Sequence, residues 1–245
     1  MIASQHHSGL VLGAYDGRKM VGVLFGFTAL DKGKPYHYSH ITGVLKDYQG
    51  KGVGFKLKLA QRQHVLRQGQ DLVKWTYDPL QAGNGYFNIG KLGGVCRTYW
   101  RELYGSLEDS LNRGRLTDRF EVEWWIRSKR VRDRLERKPR AESARSFHKQ
   151  DITVVNETRR DKRGVRAALD TRLGLREKRL LVEIPESIAG IRDASLNAAR
   201  DWCLSFRKTF EHYFRRGYVA TNVSVMKEQG ERRVFYLLEH SPRIE

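Results

Sequence analysis

The stretch Gln49-Gly50-Lys51-Gly52-Val53-Gly54 has the residue types of a phosphate-binding loop. Glycines let successive backbone N–H groups point into one concavity, and a following helix adds the positive end of its dipole. Gly52 and Gly54 also allow a ligand to approach the main chain where a Cβ would obstruct it. The hexamer therefore favours recognition of a pyrophosphate by main-chain groups, with a plain turn as the alternative interpretation.

Strands before the loop and a helix after it are needed to position it. Leu10–Tyr15, Met20–Ala29 and Tyr36–Leu45 read as three antiparallel strands, and Asp16-Gly17 favours a tight hairpin between the first two. Phe55–Gln68 is predicted to be a helix, since Gly69 supplies a C-terminal stop. The residues expected on its buried stripe are Phe55, Leu59, Arg62 and Leu66.

Downstream of this helix, the pattern predicts a strand, a helix and two further strands. The strand is Leu72–Tyr77, and Asn84 is a favoured residue to cap a helix that runs to about Leu92. Val95–Tyr104 and Phe120–Ile126 follow as a pair of strands. The predicted fold class is therefore α/β, of the α+β kind, with a mixed sheet.

The C-terminal region repeats this coarse order without repeating its residues. Leu180–Ile184 is predicted as a strand, a helix spans about Arg192 to Arg215, and Tyr218–Met226 and Arg233–Leu238 form a hairpin. This strand–helix–strand–strand order is that of Leu72–Ile126, which indicates an internal repeat of architecture. The helix carries aromatic residues at four-residue intervals, namely Trp202, Phe206, Phe210 and Phe214.

The surroundings of the glycine loop exclude two common phosphate-binding motifs. A dinucleotide-binding fingerprint needs a parallel strand–helix–strand unit, whereas this loop follows an antiparallel meander. A P-loop needs Gly-Lys followed by Ser or Thr, which is missing here. The residues instead resemble the GNAT superfamily of CoA-dependent N-acyltransferases, whose loop Gln/Arg-x-x-Gly-x-Gly/Ala is matched by Gln49, Gly52 and Gly54. The resemblance runs from Gly9 to about Ile126 in element order as well.

Several short motifs make the chain similar to one little-characterised group of predicted acetyltransferases within that superfamily. They are Trp75–Leu80, Phe87-Asn88, Lys91–Gly93 and Thr117–Arg119. The fit of Leu180–Leu238 to the tail of that group is looser. The chain thus resembles one subgroup within the superfamily. The resemblance implies a GNAT-like mixed sheet with splayed central strands.

The resemblance also implies a site for acetyl-CoA or another acyl-CoA as co-substrate. In such proteins the strand before the loop, here ending at Val44-Leu45, splays from the strand after the helix, and exposed backbone groups pair with the pantetheine arm. Gly50 to Gly54 would hold the pyrophosphate through main-chain N–H groups, with Gln49, Lys51 and Val53 in the same loop. Asn84 matches an asparagine that hydrogen-bonds the pantetheine, with a helix cap as its alternative role.

Acyl transfer to an amine needs a base for the ammonium proton and an acid for the leaving thiolate. Several members of the superfamily carry a glutamate at the position of Tyr38, and His40 lies two residues on, on the same strand face. Histidine suits proton relay near neutral pH, and packing beside Tyr38 is the alternative. The usual acid position is Ile89, which cannot donate a proton. Tyr86 is the nearest replacement, with core packing as the alternative.

The composition of the chain excludes several other classes of protein. The chain has 245 residues with 46 Lys and Arg against 28 Asp and Glu, a formal charge of +18, and 40% apolar residues. That apolar share excludes wholesale disorder, and no stretch approaches the roughly 20 apolar residues that span a bilayer. Cys96 and Cys203 are the only cysteines, which excludes a disulfide scaffold. No His, Cys or Asp cluster has metal-ligand spacing, so we predict no metal.

The excess positive charge lies mainly in residues 127–179, which hold 19 basic and 8 acidic side chains. We predict a GNAT-like domain over 1–127, a basic linker over 128–179 and a C-terminal β-α-β-β unit over 180–245. GNAT domains usually begin with a strand and two helices before the strand at Leu10, so this domain is expected to be N-terminally shortened. Met1–Gly9 lacks a basic leader before an apolar run, so the expected location is the cytoplasm.

The leading functional hypothesis is direct transfer of an acyl group, acetyl or succinyl, from acyl-CoA to an amine of a small molecule. A nucleic-acid-binding protein is the runner-up, since a charge of this size favours an anionic partner. Its basic segment contains only Phe147 for stacking on bases, which gives that hypothesis little support. A protein that binds acyl-CoA without catalysis is the third hypothesis. No membrane partner is predicted.

Overall fold

The computed structural model describes residues 2–105, 117–136, 152–162, 164–228 and 231–244. The strands are β1 (Leu10–Asp16), β2 (Lys19–Asp31), β3 (Lys34–Val44), β4 (Leu72–Tyr77), β5 (Val95–Trp100), β6 (Arg119–Trp125), β7 (Thr153–Val154), β8 (Asn156–Arg160), β9 (Arg166–Thr171), β10 (Arg179–Ile184), β11 (Tyr218–Glu228) and β12 (Glu231–His240). The helices are α1 (Ile2–His6), α2 (Val53–Arg67), α3 (Ala82–Gly85), α4 (Lys129–Glu136), α5 (Ile188–Ala194) and α6 (Leu196–Arg215). Within these described ranges, no helix combines the length and apolar character needed to cross a membrane.

The chain divides into two compact units whose bounds differ from the predicted domains. The first contains Met1–Trp75 and Glu123–Arg132, and the second contains Thr76–Val122 and Asp133–Ile244. Strands β4 and β6 are sheet neighbours, and each runs from one unit into the other. Because β6 brings the chain back beside β4, a boundary drawn at a single residue such as 127 cannot separate the units.

The first unit carries the predicted antiparallel meander. Its strand order is β1-β2-β3-β4-β6, with β1–β2 and β2–β3 antiparallel and β3–β4 parallel. Gly17 adopts a φ of +58° in the predicted hairpin turn, as such turns require. Helix α2 covers one face of β2, since a Cβ built on Gly22 would lie 3.1 Å from Val53 and 3.2 Å from Leu57.

The buried face of α2 differs from the predicted stripe. The helix buries Leu57, Lys58, Gln61 and Val65, whereas the predicted stripe residues Phe55, Leu59, Arg62 and Leu66 are only half-buried. Apolar residues lie on several faces of this helix, so periodicity alone does not select one face. As a result, two polar side chains of α2 lie in the interior of the first unit.

The second unit realises the predicted repeat of architecture. Its strand order is β4-β6-β5-β11-β12-β10-β7. The sequence β4, α3, β5, β6 thus gives the spatial order β4-β6-β5, and β10, α5–α6, β11, β12 gives the matching order β10-β12-β11. The two triplets meet where β5 pairs with β11 in antiparallel fashion, at Cys96 and Ala220.

Two further predicted elements require correction. The helix expected from about Arg192 to Arg215 is two helices, because Ser195 is extended and caps α6 by accepting a hydrogen bond from Ala198 N at 3.2 Å. The expected linker 128–179 contains α4, β7 and an antiparallel β8–β9 hairpin. These strands form because β-branched residues such as Val154 favour extended chain, and because Arg160 and Arg166 pair with Glu231. Residues 137–151 of that predicted linker lie outside the described ranges.

Candidate functional site

Strands β3 and β4 form a fork in the first unit. They pair in parallel over only two positions, His37 with Val73 and Tyr38 with Lys74. Beyond them, Ser39 and Trp75 begin stretches that no longer pair with each other. The predicted splay of the central strands is confirmed, and the edge of β3 that faces away from β2 has no strand partner after Tyr38 in the described part of the chain.

Lys58 of helix α2 lies at the point where this fork opens. Its Nζ donates hydrogen bonds to Ser39 Oγ at 2.8 Å and to Gln61 Oε1 at 3.1 Å, and lies 3.9 Å from the ring centroid of Trp75. Lys58 thus contacts, on each strand, the first residue beyond the pairing between β3 and β4. Burial lowers the pKa of Lys58 to about 7, because removing an ammonium group from water disfavours its charged form.

His37 lies on the same buried side of β3. Its side chain is fully buried, and neither ring nitrogen has a hydrogen-bond partner within the described residues. Burial, reinforced by the neighbouring charges of His64 and Lys58, lowers the pKa of His37 to about 4. His37 is therefore neutral at physiological pH, and Lys58 is the titratable group of this interior whose pKa lies closest to neutrality.

The predicted loop lies directly after the fork. Residues Lys46–Tyr48 form one 3₁₀ turn, and Gln49 Nε2 donates to Val44 O at 3.1 Å, which ties the loop to the end of β3. Gly50 and Gly52 have φ values of +74° and +83°, and a Cβ on either would meet no atom within 4 Å. These are the conformations that favour glycine, and they leave open space above the main chain.

Helix α2 begins at Val53 immediately after this loop. Gly52 is its N-cap, so no side chain satisfies the first N–H groups of the helix, and its first turn contains no acidic residue. Uncapped N–H groups and the helix dipole favour an anion at this end. Lys19 and Lys51 lie 5.5 and 5.3 Å from the ring of Tyr48, which adds positive charge beside the loop. The loop therefore fits a pyrophosphate group.

His40 lies on the face of β3 opposite His37. Its exposed ring is 5.9 Å from Phe25, 6.2 Å from Phe27 and 6.3 Å from Tyr38, measured between centroids. His40 therefore packs against aromatic rings on one side, as the alternative interpretation expects. The other side of its ring is accessible. These four side chains form an aromatic patch on the sheet face that α2 does not cover.

Asn84 and Tyr86 belong to the second unit, and for both residues the alternative role is wrong. Helix α3 starts at Ala82 with Gln81 as its N-cap, so Asn84 is not a cap, and its side chain is exposed. Tyr86 is 39% exposed rather than packed in the core, whereas Ile89 is fully buried. Tyr86 opens a π-helical turn, a distortion that is common at functional sites.

The second unit also has a cleft of about 230 Å³ beside α6, partly open to solvent. Asp118 lies in its wall and accepts two hydrogen bonds from Arg207, at 2.9 and 2.8 Å, and one from Tyr99 at 2.6 Å. Burial alone would raise the pKa of Asp118, but these bonds and one from Glu102 N outweigh burial and lower it. Asp118 is therefore a charged structural anchor.

A second parallel junction, between β7 and β10, has a different outcome. These strands also pair over two positions, Thr153 with Leu180 and Val154 with Leu181. Beyond them the buried side chain of Asn156 donates to Glu183 O at 2.9 Å and accepts from Glu183 N at 2.8 Å. The amide of Asn156 thus satisfies the backbone groups that a separating strand would leave open.

Sequence reasoning did not single out Lys58 or Asn156. A lysine between Leu57 and Leu59 in a helix that flanks a glycine loop is a weak signal of a buried charge, but no pattern pointed to its partners. Asn156 has no local signal, because its partner Glu183 is 27 residues away. Both roles depend on contacts between distant segments.

The fork, the glycine loop and helix α2 together define an α/β protein with a glycine-rich loop and an uncapped helix start beside a splayed parallel strand pair. No protein-family model matches the sequence, and no curated protein matches it either. The chain is similar to the solved structure of a GNAT family acetyltransferase from Elizabethkingia anophelis with acetyl-CoA bound, at 14% identity and a TM-score of 0.43 over 51% of this chain and 80% of that chain.

Two further solved structures show a similar likeness. The IAA acetyltransferase from Bacillus cereus has 18% identity and a TM-score of 0.42 over 50% of this chain and 81% of that chain. The ribosomal-protein-S18-alanine N-acetyltransferase from Escherichia coli has 18% identity and a TM-score of 0.42 over 51% of this chain and 74% of that chain. At such low TM-scores the likeness says nothing about what this chain binds.

Proposed function

We propose that the protein is an acyl-CoA-dependent N-acyltransferase that acylates an amine of a small molecule. The observation that carries this proposal is the β3–β4 fork, followed at once by a loop whose Gly50 and Gly52 keep open space above an uncapped helix start. A fork alone exposes backbone groups, and a glycine loop alone binds an anion. Together they match a ligand that has a pyrophosphate at one end and an amide-rich arm at the other.

Each element of this site has a defined task in the proposal. The N–H groups of Gly50 to Gly54 hold the pyrophosphate, and Gln49 fixes the loop to β3 through Val44 O. The edge of β3 that has no strand partner among the described residues pairs with the pantetheine amides. Asn84, whose side chain is exposed, stays the residue that the sequence proposes for a further hydrogen bond to this arm. When bound, acyl-CoA supplies the activated acyl group.

His40 is the proposed base and Tyr86 the proposed acid, each on the chemistry and exposure of its own side chain. Transfer forms a C–N bond and breaks a C–S bond, so one proton leaves the nitrogen and one is delivered to the sulfur. His40 is accessible, and its imidazole can accept a proton, which suits removal of the first proton. Tyr86 has an exposed hydroxyl, which suits delivery of the second.

A binding experiment tests the phosphate loop. Gly52→Glu places a carboxylate where the pyrophosphate would lie, and we expect the affinity for acetyl-CoA to fall at least about a hundredfold, since like charges repel and the N–H groups are blocked. Gly33→Glu is the matched control, because Gly33 has a φ of +79° and equally open space in a hairpin turn. Equal affinities of the two variants in isothermal titration calorimetry would contradict the proposed site.

Turnover distinguishes an enzyme from a protein that only binds acyl-CoA. An enzyme releases free CoA from acetyl-CoA only when an acceptor amine is present, whereas the binding protein is stabilised by CoA without turnover.

The nucleic-acid hypothesis gains no support from the described part of the basic segment, where Arg160 and Arg166 pair with Glu231. Affinity for RNA or DNA that falls steeply with salt would revive it.

A further inference from the structure

The interior of the first unit holds a lysine without a counter-ion. The side chain of Lys58 is 2% exposed, and no carboxylate among the described residues forms an ion pair with it. Its polar contacts are with Ser39 Oγ, Gln61 Oε1 and the ring of Trp75, none of which carries a formal charge. Burial of an ammonium group without a counter-ion destabilises the fold, so a ligand that brings a negative charge to Lys58 would bind favourably.

Two neighbouring side chains add N–H groups that lack an acceptor. Gln61 is fully buried, and its Nε2 has no hydrogen-bond partner among the described residues, while its Oε1 accepts from Lys58. Both ring nitrogens of the buried His37 also lack partners there, and one of them carries a proton when the ring is neutral. His37 Nε2 and Gln61 Nε2 both lie near Gly26, since a Cβ built on Gly26 would be 2.3 and 3.2 Å from them. This interior therefore has buried donors that a carboxylate could satisfy.

The position of Lys58 matches the end of the acyl-CoA arm in the proposed function. The proposed pyrophosphate site follows Val44, at the end of β3, and the edge of β3 without a strand partner among the described residues runs back from there to Ser39. That stretch is roughly 17 Å of extended strand, and the arm from phosphorus to sulfur, with about 13 bonds, is roughly 15 Å long when extended. A thioester at the end of the arm would therefore lie near Ser39, beside Lys58.

We propose that Lys58 makes the protein selective for an acyl group that ends in a carboxylate, that is, for the monothioester of a dicarboxylic acid. The free carboxylate accepts hydrogen bonds from Lys58 Nζ and Gln61 Nε2 and supplies the missing counter-ion. This inference rests on the proposed function, and it decides between the acetyl and succinyl groups that the sequence leaves open. The transfer itself is unchanged: a C–N bond forms, the C–S bond breaks, one proton passes from nitrogen to sulfur, and the free carboxylate takes no part.

Matched thioesters isolate the effect of the carboxylate charge. Malonyl-CoA and isovaleryl-CoA have acyl groups of similar size and branching, and freshly prepared succinyl-CoA and 4-methylpentanoyl-CoA form a longer pair. We expect at least one carboxylate-bearing thioester to bind about tenfold more tightly than its neutral counterpart, because hydrogen bonds between charged groups are strong. Calorimetry at pH 7 without an acceptor amine measures the affinities. Equal affinities within both pairs would show that internal water satisfies this cluster, and would overturn the inference.

Variants of α2 test whether Lys58 causes the preference. Lys58→Met keeps an unbranched side chain and removes its charge, so the preference for a carboxylate should disappear while the neutral thioesters still bind. Lys56→Met replaces an exposed lysine of the same helix and is the matched control, which should retain the preference. A preference that persists in Lys58→Met would overturn the inference.

A second variant supplies the counter-ion from the chain itself. Gln61→Glu keeps the size of the side chain and places a carboxylate at the atom that already lies 3.1 Å from Lys58 Nζ. The affinity for the carboxylate-bearing thioesters should fall about tenfold, because like charges repel and Lys58 is then paired, while the affinity for the neutral thioesters should stay unchanged. An equal change for charged and neutral thioesters would overturn the inference.

Proton uptake gives a measurement that does not depend on turnover. Burial alone lowers the pKa of Lys58 to about 7, so most of it is neutral at pH 8.5, and a bound carboxylate favours the charged form. The other titratable groups of this interior, among the described residues, are His37 of β3 and His64 of α2, whose lowered pKa values keep both neutral at that pH. Calorimetry in two buffers of different ionisation enthalpy should show an uptake of up to about one proton more for a carboxylate-bearing thioester than for its neutral counterpart. Equal uptake would overturn the inference.

The inference and the proposed function can fail separately. Equal binding of the charged and neutral thioesters would keep the proposed function and overturn the preference for a carboxylate. Absence of binding by every thioester would refute the proposed function, and this inference with it.

Discussion

Two parallel strand junctions of this chain begin alike and end differently. Between β3 and β4, as between β7 and β10, the strands pair over two positions and then stop pairing. After the first junction the chain makes a glycine loop and α2, and the edge of β3 stays open. At the second, Asn156 supplies both hydrogen bonds that Glu183 lacks.

A pair of separating strands can bind a ligand only if nothing in the chain already supplies hydrogen bonds to their free backbone N–H and C=O groups. Buried N–H and C=O groups need partners, which are supplied by a neighbouring strand, a side chain or a ligand. In the β7–β10 junction an asparagine supplies them permanently. In the β3–β4 junction Lys58 donates to the side chain of Ser39, and no strand among the described residues pairs with the remaining edge of β3, which the proposed function assigns to a ligand.

The largest expected effect comes from removing the Asn156 side chain that satisfies the backbone at the β7–β10 junction. Asn156→Ala leaves the buried N–H and C=O of Glu183 without partners, each at a cost of about 1–3 kcal/mol. We therefore expect the free energy of unfolding in urea to fall by about 2–6 kcal/mol, with no change in acetyl-CoA affinity. The exposed Asn84 gives the converse variant, since Asn84→Ala should weaken acetyl-CoA binding and leave stability unchanged. The reverse pattern in this pair would refute the distinction between the two junctions.

The next largest expected effect is a dependence of the free energy of unfolding on pH, caused by Lys58 at the β3–β4 fork. The pKa of Lys58 is lowered by burial to about 7, so above that pH the unfolded chain binds a proton that the folded chain does not. Stability should therefore rise with pH by up to about 1.4 kcal/mol per unit from pH 7 towards 10.5. Lys58→Met should remove this rise between pH 7 and 9, as measured by urea unfolding.

The neighbouring histidines do not obscure this measurement. Burial lowers the pKa of His37 to about 4 and also lowers the pKa of His64, so both titrate below the chosen window. The His37→Gln variant is the control and should keep the slope between pH 7 and 9. A slope that survives in Lys58→Met would show that another group causes it and would contradict this prediction.

A smaller effect is expected from the hydrogen bond that links the glycine loop to the end of β3. Gln49→Ala removes the hydrogen bond to Val44 O, which lies at the surface, so stability should fall by only about 0.5–1 kcal/mol. Acetyl-CoA affinity should fall several-fold, because the loop is no longer held against the end of β3. Calorimetry beside urea unfolding checks both values, and unchanged affinity would show that the tie to β3 is not needed for binding.

The smallest effect concerns the charge beside the loop. Lys51→Gln should weaken acetyl-CoA binding about two- to fivefold at low ionic strength, and this difference should shrink as salt is added, because Lys51 is exposed. Lys32→Gln, in the β2–β3 turn, is the control. A difference that does not change with salt would assign Lys51 a direct contact rather than a general attraction.

Local patterns predicted the elements of this chain well. Strand β4 was expected at Leu72–Tyr77 and is observed there, and the hairpin at Asp16-Gly17 and the helix after the glycine loop are confirmed within a few residues. These features depend on turn chemistry and alternating side chains, which act over a few residues. The split at Ser195 was missed because a serine inside an aromatic repeat is compatible with one helix or two.

The site was predicted only as far as its main chain. The residue type permits the positive φ of Gly50 and Gly52, because glycine adopts that conformation without strain, although Gly54 of the same loop does not adopt it. The burial of Lys58 against Trp75, the closure of the β7–β10 junction by Asn156 and the cleft between Asp78 and Arg200 each join residues distant in the sequence. Such contacts are selected by packing of the whole fold, and only the tertiary structure reveals them.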